Sequence, residues 1–129
     1  MTDFGVVGAG HMGSGIACAF ALAGFDVTLM DIDVDALAHA VDRVAVQIDE
    51  MIARGDAEPA DKTAAIARVA TTANLTDLGA NDLIVETATE IEAVKHRIFA
   101  ELTPHLKPQT ILTSKTSSFS VTRMVSLGR

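Results

Sequence analysis

Three glycines at fixed spacing, Gly8-Ala9-Gly10-His11-Met12-Gly13, follow directly on the apolar run Phe4-Gly5-Val6-Val7 and precede a periodic apolar segment. Strand, tight turn and helix N-terminus in that order can hold a pyrophosphate. Gly8 turns the chain sharply, Gly10 lets the backbone approach an anion, and Gly13 lets the new helix pack closely on the sheet. The unsatisfied N–H groups and the positive dipole end of that helix then face the phosphates. Taken alone, the motif is equally a structural turn. Asp31 changes the weighing: it lies 18 residues after Gly13, at the end of the β-rich run Asp26–Met30. A carboxylate there can accept hydrogen bonds from both adenosine-ribose hydroxyls and repel a 2′-phosphate, which favours NAD over NADP. Its other possible role is to cap the next helix, which Asp33 could do instead.

The elements that must position these residues follow from periodicity. Strands are predicted at 4–7, 26–30, 68–71 (the weakest), 82–86 and 110–114. Helices are predicted at 12–23, with Ile16, Ala17, Phe20 and Ala21 inward, and at 34–54, with the stripe Leu37, Val41, Val44, Ile48, Met51 and Ile52. Gly24 and Gly55 read as the residues that close them. Pro59 suits the first position of a shorter helix to Ala67. A helical turn is expected over 74–78, and a helix over 91–102 with Val94, Ile98, Phe99 and Leu102 inward. Ser120 is a plausible N-cap for a last helix carrying Val121, Met124, Val125 and Leu127. The order β-α-β-α-α-β-β-α-β-α predicts an α/β fold, a Rossmann-type doubly wound parallel sheet with right-handed crossovers. A six-stranded sheet of that type would continue past Arg129, so the expectation is one NAD-binding domain over residues 1–129, cut from a longer chain.

Ligands of open parallel sheets bind beyond the carboxyl ends of the strands. The polar residues expected there are the glycine loop, Asp31, the segment from Glu86 to Glu90, and Ser114-Lys115-Thr116-Ser117-Ser118. Composition narrows the alternatives. The length fits one core, 49% of residues are hydrophobic, and 21% are charged, as in ordinary globular proteins. A formal charge of −7 argues against a nucleic-acid or anionic-membrane surface. Cys18 is the single cysteine and reads as a small buried residue of a helix. No C-x-x-C or paired-His spacing suggests zinc, so no metal is expected. Neither a basic leader nor an apolar run of ~20 residues is found, which makes a cytoplasmic location the expectation.

Gly-Ala-Gly-His-Met-Gly-Ser-Gly-Ile-Ala, Asp31, the V-E-x-x-x-E run from Val85 to Glu90 with Lys95, and Ser-Lys-Thr-Ser-Ser together resemble the N-terminal domain of the 3-hydroxyacyl-CoA dehydrogenases. The likeness spans the whole chain and is nearest to the monofunctional 3-hydroxybutyryl-CoA type. The resemblance implies NAD as cofactor, with Gly8, Ala9, Gly10, His11, Met12, Gly13 and Asp31 along its adenosine and pyrophosphate. It implies that Glu90 and Lys95 contact the nicotinamide half, and that Ser117 is catalytic, hydrogen-bonding the 3-oxygen of an acyl-CoA substrate. Read without the resemblance, Lys95 is a solvated helix lysine, Glu90 a first-turn carboxylate, and Ser117 a cap or turn residue.

Two departures matter. Lys115 stands where the family carries Asn, and the match to CoA-approaching positions, roughly Gln47 and Arg54, is loose. The family's general acid, a His held by a Glu, lies downstream of the serine loop. His11, His39, His96 and His105 all lie upstream of Ser117 and read as surface or loop residues. The helical C-terminal domain that closes the cleft and forms the dimer lies outside the chain too. The expectation is therefore a domain of an NAD-dependent (S)-3-hydroxyacyl-CoA dehydrogenase, inactive alone, whose parent is a homodimer or higher oligomer. The other readings are a stand-alone NAD-binding module or redox sensor, and a sugar-acid dehydrogenase or crystallin-like relative.

Overall fold

A computed structural model describes residues 3–87 and 92–114, and the side chains of Glu92, Lys95 and Ser114 are outside that description. The elements run β1 (Asp3–Val7), α1 (His11–Leu22), β2 (Asp26–Met30), α2 (Val34–Ala53), α3 (Pro59–Ala67), β3 (Val69–Thr72), a 3-10 turn (Leu75–Ala80), β4 (Leu83–Glu86), α4 (Glu92–Leu102), a second 3-10 turn (Thr103–His105) and β5 (Ile111–Ser114). The expected helix starting at Ser120 lies outside the described residues.

The strands form one parallel sheet in the order β3-β2-β1-β4-β5. The first strand is thus central. Its neighbours come from opposite halves of the chain, and a crevice opens where the connections after β1 and β4 diverge. Register sorts the side chains onto two faces. Val6 pairs with Leu29 and Val7 with Met30, so successive residues serve different cores. Val6, Val27 and Leu29 pack under α1, α2 and α3. Val7, Met30, Ile84 and Leu112 pack with Leu78 of the 3-10 turn and with Phe99 and Leu102 of α4. Leu78, Phe99 and Leu102 are fully buried, and each such side chain contributes about 2 kcal/mol of transfer free energy.

The helices differ from the sequence expectation in one respect. The deepest line on α1 is Gly13, Ser14, Ala17, Cys18 and Ala21, with Ile16 and Phe20 only flanking the core. On α2 the stripe is centred on Ala40, Val44 and Ile48. The line on α1 is made of small residues, which let that helix lie close against the sheet. Gly24 and Gly55, at φ +99° and +80°, follow α1 and α2. The N–H groups of Phe25 and Asp56 close the two ends on Phe20 and Met51.

Cys18 is buried as expected, and burial pushes its thiol up from the ordinary value of 9.0. A raised folded-state value means that its contribution to stability is complete below the unfolded value and is lost as pH rises through the folded one. Cys18 is therefore expected to react with a thiol-specific chromogenic disulfide roughly 100-fold more slowly in the native protein than in urea at pH 8. Equal rates would show that the thiol is accessible.

Candidate functional site: a glycine loop clamped between two strands and a helix

Gly8 leaves β1 at φ +110°, a conformation that favours glycine, and donates its N–H to the carbonyl of Met30 at 2.7 Å. Ala9 is fully buried and held on both sides. Its N–H donates to Asp31 Oδ2 at 2.8 Å, and its carbonyl accepts from Arg43 Nη1 at 2.9 Å and Ser14 Oγ at 3.2 Å. Gly10 is the N-cap of α1 with extended backbone, and no side chain caps this helix or puts an acid in its first turn. By contrast, Asp33 caps α2 by accepting from the N–H groups of Asp35 and Ala36. The N-terminus of α1 is thus left to backbone donors alone.

The other two glycines have separate roles. A Cβ on Gly13 would lie 1.6 Å from the carbonyl oxygen of Gly8, so this glycine sets how closely α1 approaches the end of β1. A Cβ on Gly10 would meet nothing within 4 Å. It would project into open space in front of the helix.

That space is a cleft of about 980 Å³. The glycine loop with His11 and Met12 forms its floor. Asp31 and Ile32 border it after β2, residues 73–75 after β3, and Thr87 after β4. Val94, Arg97, Ile98 and Glu101 of α4 form the opposite wall. Asp31 also accepts the N–H of Asp33 on Oδ1 at 2.9 Å, which fixes its carboxylate plane. Each oxygen keeps a lone pair for a further donor. Ile32 beside it is 81% exposed and Met12 55%, so apolar surface flanks the carboxylate and the loop. Thr87 ties β4 to β1: its N–H and Oγ1 both donate to Val7 O, at 2.8 and 2.9 Å.

The expected site residues divide into two groups. Gly8, Ala9, Gly10, His11, Met12, Gly13 and Asp31 come together, with Asp31 clamping the loop and Asp33 capping the helix. Glu90, Ser117 and Lys115 lie outside the described residues. Lys95 falls within α4, but its side chain is not described. One grouping needs correction: Glu86 does not join the polar rim. Paired with Val7 at the end of β4, it turns into the interior and is fully buried, and its neighbour Thr87 reaches the cleft instead. Alternation along a strand decides this, since adjacent residues take opposite faces. Among the histidines, only His11 borders the cleft, while His39 and His105 are exposed on α2 and the second 3-10 turn and His96 is half-buried on α4. Gln47 lines a second groove of about 430 Å³ with His11, His39 and Arg43. Arg54 caps the end of α2 and pairs with Asp56 at 3.2 Å.

Thr87 lies in the segment expected at the cleft and lines it, whereas Arg43 was not among the expected residues. Arg43 sits in a helix otherwise read by its apolar stripe, and its reach back to the glycine loop spans 34 residues. An arginine directly before Val44, on the most buried line of α2, was the available signal.

A parallel sheet, a glycine loop at its switch point and a carboxylate at the end of the second strand define a dinucleotide-binding domain. Residues 3–127 match the family model of the 3-hydroxyacyl-CoA dehydrogenase NAD binding domain, and the chain belongs to that family. It is 43% identical over 93% of its length to 3-hydroxybutyryl-CoA dehydrogenase of Bradyrhizobium diazoefficiens, of which it covers 41%. It is 39% identical over 91% of its length to 3-hydroxyadipyl-CoA dehydrogenase of Escherichia coli, covering 25% of that protein. The crystal structure of (S)-3-hydroxybutyryl-CoA dehydrogenase from Ralstonia eutropha superimposes with a TM-score of 0.89 at 35% identity, over 98% of this chain and 45% of that one. The chain therefore spans less than half the length of these relatives. No helix among the described residues is long and apolar enough to cross a membrane.

Proposed function

We propose that the chain is the cofactor domain of an enzyme that interconverts (S)-3-hydroxyacyl-CoA and 3-ketoacyl-CoA with NAD, acting on short acyl chains such as 3-hydroxybutyryl-CoA. One observation carries the cofactor assignment: the Asp31 carboxylate and the uncapped N-terminus of α1 border the same cleft, linked through Ala9. In this reading Gly8 to Gly13 line the pyrophosphate, with Gly10 giving room, and Asp31 accepts from the adenosine ribose. Ile32 offers an apolar surface to the adenine. NAD supplies the hydride acceptor of the reaction.

Glu90 and Lys95 are proposed to hold the nicotinamide half, and Ser117 to orient the substrate's 3-oxygen. The substrate assignment rests on the named relatives, two of which are 3-hydroxybutyryl-CoA dehydrogenases. Reduction of a 3-keto group needs a proton for the developing alkoxide, which a positioned acid supplies. We assign that acid to a His–Glu pair outside residues 1–129, because none of the four histidines here stands in the matching position. The cytoplasm is the proposed location of the reaction, and a homodimer or higher oligomer the proposed working form.

NADH fluorescence titration suits a chain without tryptophan. Residues 1–129 are expected to bind NADH weakly, to prefer it over NADPH by at least ~10-fold, and to show no acetoacetyl-CoA reduction. Equal or tighter NADPH binding would refute the ribose assignment. Robust turnover by residues 1–129 would refute the need for an outside acid.

A further inference from the structure

A cation grips the glycine loop from behind. Arg43 of α2 donates from Nη1 to Ala9 O at 2.9 Å and to Ala36 O at 3.4 Å. It is half-buried, and no carboxylate among the described residues lies within ion-pair distance of it, although Asp42 and Glu50 border the same groove. Among the described residues its charge is therefore directed at peptide carbonyls and not at a carboxylate.

The geometry of one peptide unit links this cation to the cleft. Every described peptide is trans, and in a trans peptide the C=O and N–H point in opposite directions. With the Ala9 carbonyl turned toward α2, the Gly10 N–H of the same unit points toward the cleft, which Gly10 lines. That N–H donates to no protein acceptor among the described residues. A cationic donor on the carbonyl polarises the peptide and strengthens the N–H at its other end. The preceding unit is held in the complementary way, its Ala9 N–H on the anionic Asp31.

Resting on the reading of this cleft as the NAD site, we infer that Arg43 is a positioning residue for the pyrophosphate. It fixes the Ala9–Gly10 peptide with its N–H facing the anion and places positive charge behind it. Arg43 acts through the peptide and does not itself touch the cofactor.

Titration of the protein with NADH, ADP and adenosine separates this role from a merely structural one. Adenosine carries the ribose hydroxyls without phosphate, so it reports the fold and the adenosine end alone. Arg43→Met is expected to weaken NADH and ADP about tenfold while adenosine changes less than about twofold. Arg43→Lys is expected to restore most of the ADP affinity. Parallel loss of ADP and adenosine, or unchanged ADP affinity, overturns the assignment. If Arg43→Met does not fold, Arg43→Lys against Arg43→Gln makes the same comparison: the charged variant should keep ADP binding and the neutral one lose it, and equal ADP binding by the two overturns the role. A wild-type protein that binds neither NADH nor ADP refutes the cofactor reading itself and Arg43 with it. Wild-type binding with indifferent Arg43 variants refutes the Arg43 role alone.

Discussion

Gly13→Ala is expected to lower the thermal midpoint by about 10 °C, a loss of roughly 3 kcal/mol. The added Cβ would sit 1.6 Å from the carbonyl oxygen of Gly8, and the obstacle is backbone. A side chain could rotate away, but here α1 would have to lift from β1, disturbing the packing of Ala17 and Ala21 under the sheet. Gly10→Ala is the control three residues earlier. Its Cβ meets nothing within 4 Å, so the melting temperature should stay within about 3 °C, while the methyl group intrudes on the proposed pyrophosphate position and weakens NADH. Thermal denaturation followed by circular dichroism checks both. A Gly13→Ala protein that melts like wild type would mean that α1 does not rest on the Gly8 carbonyl as described.

Asp31→Ala should raise the NADH dissociation constant about 100-fold, or roughly 3 kcal/mol. Two effects combine. The variant loses the proposed charge-assisted bonds to the ribose, and it releases the Ala9 N–H that Asp31 now accepts at 2.8 Å. Asp31→Asn separates them, because an amide oxygen can still take the Ala9 N–H while the charge is gone. Its affinity for NADH should fall only about tenfold, and its discrimination against NADPH should shrink. Fluorescence titration with both nucleotides gives the answer. Unchanged NADH affinity in Asp31→Ala would end the ribose assignment.

Much of this architecture could be read from local pattern. The five described strands and four helices lie within about two residues of the positions expected from periodicity, because each apolar run has a period matching its element. The glycine loop and Asp31 were legible for a similar reason: their spacing is short and each residue's role follows from backbone geometry. What escaped notice depends on long-range register or reach. Glu86 was grouped with the polar rim because it ends a strand, yet its pairing with Val7 turns it inward. Arg43 reaches a carbonyl in another element, and no spacing rule connects residues 9 and 43. The inward line of α1 was expected at Ile16, Ala17, Phe20 and Ala21, of which Ala17 and Ala21 are buried while Ile16 and Phe20 only flank the core. Close packing adds Gly13, Ser14 and Cys18 to that line, small residues to which hydropathy alone gives little weight.

The bond between Asp31 and the Ala9 N–H bears on how cofactor preference could evolve or be engineered in this fold. A residue suited to a 2′-phosphate would replace the carboxylate, but one without an acceptor would also unhook the loop proposed to line the phosphate end. If Asp31 holds the ribose as proposed, preference and affinity are thus coupled at one position. In this reading, a replacement that cannot accept the Ala9 N–H needs a second substitution that gives Ala9 a new acceptor, so single-step paths through such a residue pass through a weak binder of both nucleotides.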